Sequence, residues 1–348
     1  MTAISSIALA PLSLLYGAAA QTRRALYKTG IFRIHKIDAP VISVGNLTTG
    51  GTGKTPLVEW IARQTANEGK RVCILTRGYG RKQPGRRVVV SDGNSILADA
   101  TTAGDEPLLL AENLLGLAAV ICDADRVSAA SWAQEHLRTE VFVLDDGFQY
   151  LRLARDLNIV VIDATNPWGG GHLLPRGRLR EPPGALARAD CIVITRADHT
   201  TPLESRVRQL GGDRPIIRSW AKIKPRRPLK KDEGQMAVGD MTLGVRVGAF
   251  CGIGNPQSFF NDLEREGYSL SYSRAFPDHH WYQQSDIDQM LDEARKQNAS
   301  ALVTTGKDAV KVRSLHFDLP CFVVEIDLEF DDAHRLREIL REALAVKY

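Results

Sequence analysis

Cysteine is scarce in this chain, which has five cysteines among 348 residues and no C-x-x-C pair. The five are widely spaced, and most of them lie inside apolar runs that predict buried strands. An odd number of scattered cysteines argues against a disulfide framework and a structural zinc site. We therefore expect reduced cysteines in the core of a cytosolic protein.

A strong excess of one charge is also missing, because 45 Lys and Arg residues are nearly balanced by 41 Asp and Glu residues, giving a net charge of +4. This balance gives no reason to expect a nucleic acid partner, although clustered arginines can still bind an anionic substrate. Hydrophobic residues make up 44% of the chain and charged residues 25%, as in ordinary soluble globular proteins. At 348 residues the chain is long enough for two domains.

The N-terminal region contains an uncharged apolar run, residues 4–20, that fits neither a signal peptide nor a membrane span. Arg23 and Arg24 follow the run, whereas a signal peptide carries its positive charge ahead of it. A spanning helix needs about 20 apolar residues, and Pro11 and Gly17 interrupt this run. We predict a helix that dips into one leaflet while the basic residues meet lipid headgroups. The alternative is a helix packed on the protein's own core.

Glycines cluster within residues 41–60, VISVGNLTTGGTGKTPLVEW, between a β-branched run and a predicted helix. The β-branched start predicts a buried strand, the glycines a tight turn, and the residues from Lys54 onward a helix. Strand, glycine-rich turn and helix in this order predict a P-loop, whose backbone N–H groups bind phosphates. Thr48 stands where the usual motif has glycine, so we expect a variant path through Gly50 and Gly51. A chance glycine-rich turn is the alternative.

The P-loop predicts a specific set of nucleotide ligands. Lys54 would reach the β- and γ-phosphates, and the hydroxyl of Thr55 would bind Mg²⁺. The full set of predicted nucleotide-binding residues is Thr48, Thr49, Gly50, Gly51, Thr52, Gly53, Lys54 and Thr55.

A second nucleotide signature follows the predicted strand at residues 140–144. Asp145 and Asp146 stand at its end, where a carboxylate can reach the Mg²⁺ held by the P-loop. Any buried strand that ends in Asp can imitate this pattern, and the pairing with the P-loop is what favours a metal-binding acid. The loop RGYGR at 77–81 follows another predicted strand and suits a phosphorylated ligand; a solvated basic turn is the alternative.

The order of predicted elements indicates an α/β fold in two parts. Residues 84–103 look irregular, and the glycine- and arginine-rich stretch 169–182 predicts a functional loop. Lysine, arginine, proline and glycine cluster near residues 222–239 and predict a linker. We predict an N-terminal membrane-associated segment at 1–28, a P-loop domain at 29–222, a hinge at 223–240 and a smaller α/β domain at 241–348. The sequence leaves open whether the last helix packs on the first domain.

The segment FPDHHW at 276–281 carries two adjacent histidines. Neighbouring residues point apart, so a shared metal is an unattractive interpretation. A catalytic histidine oriented by a carboxylate is more plausible, and a histidine with a purely structural role is the alternative.

Taken together, these motifs resemble the tetraacyldisaccharide 4'-kinase family, the lipid A 4'-kinases of Gram-negative bacteria. The resemblance covers nearly the whole chain and rests on SVGNLTTGGTGKTP, RGYGR, GDEP (104–107), DR (125–126), LDDGFQ (144–149), LPRGRLREP (from 174), GIGNP (252–256), FPDHH and TTGKDAVK (304–311). Thr48 is normal in this family's loop. Tyr150, where histidine is expected, and Gly306, where glutamate is usual, depart from the family pattern.

The resemblance implies transfer of the ATP γ-phosphoryl group to the 4'-hydroxyl of a tetraacylated glucosamine disaccharide 1-phosphate in lipid A biosynthesis. It implies ATP and Mg²⁺ as cofactors, and a P-loop NTPase-like α/β/α domain joined by a hinge to a smaller α/β/α domain. It also implies a peripheral or monotopic location on the cytoplasmic face of the bacterial inner membrane. Neither nucleic acid nor an obligate protein partner is expected.

The resemblance assigns roles residue by residue. Asp105 and His279 correspond to the carboxylate–histidine pair that activates the sugar hydroxyl, and His279 is preferred to His280 because the motif is Asp-His. The expected catalytic residues are Asp105, His279, Lys54 and Asp146. The expected metal ligands are Thr55, Asp145, Asp146 and Glu106. Tyr79, Arg126 and Arg180 are the candidates for binding the sugar and its phosphate.

Two other functions compete with the kinase at this point. One is a P-loop ATPase or ligase acting on a soluble metabolite, which leaves the apolar N-terminus unexplained. The other is a nucleotide-gated membrane adaptor without catalysis, which needs no base.

Overall fold

The structure is a computed structural model that describes residues 9–79, 81, 83, 85–197, 203–223, 227–229 and 246–345. Most of the predicted hinge at 223–240, and the start of the apolar run at 4–20, lie outside the described residues.

The elements alternate along most of the chain. The strands are β1 (Val41–Asn46), β2 (Val72–Thr76), β3 (Val88–Ser91), β4 (Ala118–Cys122), β5 (Val141–Asp145), β6 (Leu157–Asp163), β7 (Cys191–Thr195), β8 (Ile216–Ile223), β9 (Arg227–Pro228), β10 (Arg246–Cys251), β11 (Ser269–Ala275), β12 (Ala301–Thr305), β13 (Cys321–Val324) and β14 (Ile326–Phe330). The helices are α1 (Ala10–Lys28), α2 (Lys54–Asn67), α3 (Ala100–Ala103), α4 (Asp105–Asn113), α5 (Arg126–Leu137), α6 (Leu203–Gly211), α7 (Pro256–Arg265), α8 (Gln284–Lys296), α9 (Gly306–Val312) and α10 (Ala333–Leu344), with a 3₁₀ helix at Pro183–Arg188.

A nine-stranded sheet forms the larger unit, in the order β14-β8-β7-β6-β1-β5-β2-β4-β3. Its seven central strands are parallel, and the edge strands β3 and β14 are antiparallel to their neighbours. Alternate residues of β1 enter two different cores, with Ile42 under α2 and Val41 under α5. Burial on both faces explains why these strands are continuous apolar runs in the sequence.

A five-stranded sheet forms the smaller unit, in the order β11-β10-β12-β13-β9, with only β9 antiparallel. One face is covered by α8 and α9, which contribute Met290 and Val312. The other face is covered by α7, which contributes Phe259 and Leu263. The predicted fold class, a P-loop α/β/α unit with a second and smaller α/β/α unit, is confirmed.

The C-terminal end of the chain returns to the larger unit. Strand β14 pairs with β8, and α10 places Leu336 and Leu340 in the core beneath α2. Arg337 of α10 donates a hydrogen bond to the Gln64 side chain of α2 at 3.1 Å. The sequence assigned all of 241–348 to the smaller domain, and we propose instead that the smaller unit ends at β13.

Several elements were not predicted correctly from the sequence. Strand β3 lies in the stretch 84–103 that was expected to be irregular, and it pairs with β4 at the edge of the sheet. The run from Cys321 to Phe330 forms two strands, β13 and β14, because the chain passes from one sheet to the other at Glu325. Strand β8 and helix α9 were not predicted.

The parallel topology concentrates the predicted motifs at one edge of the larger sheet. Strands β1, β2 and β5 are neighbours and run in the same direction, so the loops after all three meet there. These loops carry the glycine-rich turn, RGYGR and the paired aspartates. Within the part of the chain that the structure describes, we find no helix with the length and apolar character needed to cross a membrane.

The packing of α10 generates a stability prediction. Leu336 is fully buried, so Leu336→Ala leaves a cavity that costs roughly 2–5 kcal/mol. We expect faster amide hydrogen exchange in β1 and β5, with exchange in β10 and β12 unchanged, as measured by mass spectrometry. His334→Ala, at a side chain that is 79% exposed, is the control. Loss of protection in β10 and β12 instead would contradict the assignment of α10 to the larger unit.

Candidate active site

The glycine-rich turn adopts a P-loop geometry at the start of α2. Gly53 caps the helix with a φ of 81°, a left-handed conformation that favours glycine, so that Lys54 and Thr55 are the first residues of α2. Two hydrogen bonds fix the loop at Thr52: its hydroxyl accepts from Asn46 Nδ2 at 2.9 Å, and its carbonyl accepts from the Thr195 hydroxyl at 2.8 Å. The free N–H groups of the helix start suit a bound anion.

The first part of the loop explains the absence of glycine at position 48. Thr48 is buried and forms a β-bridge with Leu179, and the Thr49 N–H donates to the Arg178 carbonyl at 2.8 Å. The chain then turns at Gly50, whose φ is 113°. The stretch 169–182 therefore pairs with the start of the P-loop at Thr48 and Thr49. The turn itself passes through Gly50 and Gly51, as expected.

The smaller unit closes over this loop. A Cβ added at Gly254 would lie 3.0 Å from the Gly51 nitrogen, so a side chain there would force the two loops slightly apart. Arg196 reinforces the contact by donating to the Gly51 carbonyl at 3.1 Å and to the Ser258 hydroxyl of α7 at 3.0 Å. It also pairs with Asp163. The segment GIGNP thus lies directly against the phosphate loop.

Asp145 feels the charges of two other carboxylates, Asp146 and Glu106, beside the P-loop. Asp145 is buried at the end of β5 and accepts a hydrogen bond from Thr76 at 3.0 Å. Burial, followed by the negative charges of Glu106 and Asp146, raises the pKa of Asp145 to about 6. Asp146 Oδ1 is buried and has no hydrogen-bond partner among the described residues. Neighbouring negative charges and a buried carboxylate oxygen without a hydrogen bond fit a divalent cation.

Asp146 is held by two cations. Arg180 Nη1 donates to its Oδ2 at 2.6 Å, and Lys54 Nζ lies 3.6 Å from its Oδ1. Burial alone would raise the pKa of Asp146, but Lys54 and Arg180 more than offset it, and the pKa is lowered. This carboxylate therefore stays charged at neutral pH.

Among the described residues, no three His, Cys, Asp or Glu side chains are grouped closely enough to hold a metal by themselves. Mg²⁺ commonly binds through one or two carboxylates and the phosphates of its nucleotide, so this finding suits a metal that arrives with ATP. Thr55, Asp145, Asp146 and Glu106 remain a predicted ligand set.

Asp105 and His279 meet across the two units. Asp105 begins α4 of the larger unit and is 4% exposed, and His279 Nδ1 lies 3.0 Å and 3.1 Å from its two oxygens. A carboxylate only accepts, so Nδ1 carries the hydrogen and Nε2 is left as a proton acceptor.

The pair perturbs the ionisation of both partners. The hydrogen bond with Asp105 raises the pKa of His279 above its ordinary value of 6.5. Burial opposes the charge of Asp105, but the hydrogen bond from His279 and the charges of Lys307 and Lys311 lower the pKa of Asp105 to about 2. Asp105 is therefore ionised at neutral pH.

His280 is engaged elsewhere. Its Nε2 lies 3.1 Å from Asp286 Oδ2, and its ring stacks on Phe276 with centroids 4.8 Å apart. These contacts give it a structural role inside the smaller unit. The geometry therefore agrees with the choice of His279, rather than His280, as the candidate base.

A cleft of about 350 Å³ collects most of the predicted residues. The predicted site residues that line it are Gly50, Gly51, Thr52, Gly53, Lys54, Thr55, Tyr79, Glu106, Asp145, Asp146, Arg180 and His279. Thr48 and Thr49 line a second cavity, which shares Gly50 to Thr52 with the cleft. Tyr79 is 49% exposed and is available to a ligand. Arg126 is buried, stacks on Tyr150 at 4.9 Å and does not line the cleft.

Two lysines of the smaller unit were not predicted as site residues. Lys307 Nζ bridges Glu106 at 2.8 Å and Asp278 at 3.0 Å, and Lys311 Nζ lies 3.3 Å from Asp105 Oδ2. Both belong to the segment TTGKDAVK. That segment was part of the resemblance, but nothing in the sequence indicated which partners its lysines meet.

Comparisons with known proteins identify the same family over nearly the whole chain. A family model described as Tetraacyldisaccharide-1-P 4'-kinase matches residues 5–345. A tetraacyldisaccharide 4'-kinase of Geobacter metallireducens is 45% identical over 304 residues, covering 87% of this chain and 88% of that protein. One of Pelobacter propionicus is 39% identical over 338 residues, covering 97% and 92%. A crystal structure of LpxK from Aquifex aeolicus in complex with ATP matches with a TM-score of 0.75 and 31% identity, covering 97% of this chain and 99% of that chain.

The Asp105–His279 contact generates a titration prediction. His279 should titrate above 6.5 in the native protein, and Asp105→Asn should lower its pKa because the largest raising cause is removed. Since the folded-state pKa is raised, the stabilisation from protonated His279 is present below pH 6.5 and is lost as pH rises through the raised pKa. NMR of ¹³C-labelled histidine, assigned with His279→Gln, measures this shift. An unchanged pKa in Asp105→Asn would contradict the contact, and His280 is the internal control.

Proposed function

We propose, on the premise that this chain belongs to the tetraacyldisaccharide 4'-kinase family, that its interdomain cleft carries out the phosphoryl transfer and that Asp105 and His279 supply the base. The protein is an ATP-dependent kinase that phosphorylates the 4'-hydroxyl of a tetraacylated glucosamine disaccharide 1-phosphate in lipid A biosynthesis. Family membership removes the two rival functions. The observation that carries the base assignment is the contact between Asp105 and His279 across the cleft.

His279 is suited to take the proton of the sugar hydroxyl. Its Nδ1–H is directed at Asp105, which fixes the ring and its tautomer and leaves the Nε2 lone pair for the 4'-hydroxyl. The negative charge of Asp105 then stabilises the imidazolium that forms. A general base of this kind contributes typically 10²- to 10⁴-fold to a rate.

The larger unit supplies the binding of the transferred group. The N–H groups at the start of α2 and the ammonium of Lys54 are proposed to bind the β- and γ-phosphates. Thr55, Asp145, Asp146 and Glu106 are proposed to hold Mg²⁺, which when bound neutralises charge on the phosphate oxygens. Arg180 and Lys54 keep Asp146 ionised and oriented for that role.

The acceptor is proposed to lie between Tyr79 and Arg180. Tyr79 presents an exposed ring to the cleft, and Arg180 offers a guanidinium group to phosphate oxygens. Arg126 is 5% exposed, and its Nε has no hydrogen-bond partner among the described residues. We propose that it supports this face through Tyr150 or turns toward the substrate phosphate.

A phosphoryl-transfer assay tests the base assignment. With Mg-ATP labelled at the γ-phosphate and detergent-dispersed disaccharide monophosphate, wild type should label the lipid. His279→Ala and Asp105→Ala should lower kcat by roughly 10²- to 10⁴-fold while ATP binding is kept. His280→Gln is the matched control, since its ring bonds Asp286, and its kcat should stay within a few-fold of wild type.

Two results would contradict the proposal. If His280→Gln lost as much activity as His279→Ala, the adjacent histidine or the fold of the loop would be responsible. If His279→Ala kept its kcat, the base would lie elsewhere.

We also propose that α1 seats the enzyme on the cytoplasmic face of the inner membrane. One side of the helix packs on the protein, where the Ser13 hydroxyl donates to the Leu173 carbonyl at 2.8 Å and Gly17 lies against the Leu173 side chain. The other side exposes Leu14 at 75% and Leu15 at 68%. From the sequence, packing on the protein core and contact with a membrane were alternatives for this helix. The structure supports both, because one face of α1 packs on the protein and the other face is exposed.

The chain after α1 extends this apolar surface. Ile31, Phe32 and Ile34 are exposed by 69%, 43% and 46%. Exposed aliphatic side chains next to basic residues are typical of a peripheral membrane surface. Helix α1 contacts Leu173, and Arg24 pairs with Glu181 at 3.4 Å. The proposed membrane-binding surface is therefore joined to the stretch 169–182, which also contacts the P-loop.

Vesicle flotation tests the membrane proposal. On vesicles of phosphatidylethanolamine and phosphatidylglycerol, the double variant Leu14→Asp/Leu15→Asp should bind at least about tenfold more weakly, because two leucine side chains no longer enter the lipid. Leu97→Asp is the control, because Leu97 is 56% exposed but lies on the stretch that contains β3. Equal losses in both variants, or no loss in the double variant, would contradict a membrane role for α1.

A further inference from the structure

Lys311 is a buried lysine without an assigned role. It lies on α9 of the smaller unit, and its side chain is 1% exposed. Its Nζ makes ion pairs with Asp105 Oδ2 and Asp308 Oδ1, both at 3.3 Å, and has no hydrogen-bond partner among the described residues. An ammonium group at this depth needs a strong electrostatic reason, because removing it from water is costly.

Asp308 is already well held within the smaller unit. It accepts hydrogen bonds from the Gly252 N–H at 3.0 Å, the Tyr282 hydroxyl at 2.9 Å and the Thr305 hydroxyl at 2.7 Å. It therefore does not need Lys311 for its orientation. The ammonium group of Lys311 also faces the larger unit, where it pairs with Asp105.

Asp105 is held differently. Apart from the neighbouring Glu106 N–H at 2.9 Å, its described close partners are His279 and Lys311, and both come from the smaller unit. Without Lys311, the buried carboxylate would keep the Glu106 N–H and the His279 ring as its close partners, and its Oδ2 would lose the adjacent ammonium group. Its oxygens could then rotate away from Nδ1.

We infer that Lys311 is a positioning residue for the phosphoryl transfer, whose ammonium group holds the Asp105 carboxylate in place against His279 when the two units are in contact. This inference rests on the roles proposed above for Asp105 and His279. Lys311 does not touch the substrate and acts through Asp105. The smaller unit thus brings both the base and the cation that aligns the orienting carboxylate.

The competing explanation is that Lys311 only neutralises Asp308 inside the fold. The two explanations differ when both charges are removed together. Lys311→Met/Asp308→Asn leaves no unpaired charge on α9, so it should restore the stability lost in Lys311→Met alone. A role confined to the fold predicts that activity returns as well.

The experiment measures kcat, the KM for ATP and the thermal unfolding midpoint of the full-length protein. Lys311→Met should lose roughly 100-fold in kcat, the order of effect expected when a catalytic group is misplaced, with KM for ATP within about threefold. The double variant should recover its thermal midpoint but not its kcat. Asp308→Asn alone leaves Lys311 paired with Asp105, and its kcat should stay within about fivefold of wild type.

A second ion pair between the two units gives a matched control. Arg313, the residue that follows α9, pairs with Glu112 of α4 at 2.7 Å, away from Asp105 and with a side chain that is 47% exposed. Arg313→Met removes an interdomain charge pair without touching the base. Its kcat should remain within about twofold of wild type.

Several outcomes would overturn the inference. They are a double variant with restored kcat, an Arg313→Met or Asp308→Asn variant as slow as Lys311→Met, or failure of Lys311→Met and the double variant to fold. His279→Ala in the same series separates this inference from the proposed function. If His279→Ala is slow and Lys311→Met is not, only the role of Lys311 fails; if His279→Ala is fast, the base assignment itself fails.

Discussion

The contact between the buried carboxylate of Asp105 and the imidazole of His279 is the interaction on which the site depends. The carboxylate belongs to the larger unit and the imidazole to the smaller one, so the pair exists only while the two are in contact. A buried carboxylate without partners is costly, and the partners that Asp105 has beyond its own helix start are cations or donors from the smaller unit. With the roles proposed for Asp105 and His279, proton transfer therefore requires contact between the two units.

The nucleotide side of the cleft depends on a different constraint, the parallel topology of the larger sheet. Neighbouring strands β1, β5 and β2 end at one edge of the sheet. The strand order alone therefore brings the P-loop next to the Asp145–Asp146 pair. The glycine-to-glycine approach of Gly51 and Gly254 then lets the smaller unit close directly over the phosphate loop. The proposed phosphate site and the proposed base thus belong to different units, and the cleft between them has residues of both in its lining.

Motifs of contiguous residues were predictable from the sequence itself, whereas a contact between distant residues was expected only where the family resemblance supplied it, as for Asp105 and His279. The P-loop, the strand before Asp145 and most central strands follow from local patterns whose physical cause is burial on both faces. The return of β14 and α10 to the larger sheet depends on pairing with β8, which no local pattern records. The partners of Lys307 and Lys311 were missed for the same reason, since Glu106 and Asp105 lie some two hundred positions earlier in the chain.

A double-mutant cycle on Asp105→Asn and His279→Gln tests the central claim most directly, because it asks whether the two residues act as one unit. If Asp105 works by orienting His279, the double variant should be no slower in lipid phosphorylation than His279→Gln alone. Losses in kcat that multiply in the double variant would mean that the two side chains act independently. That result would contradict a base assembled across the two units.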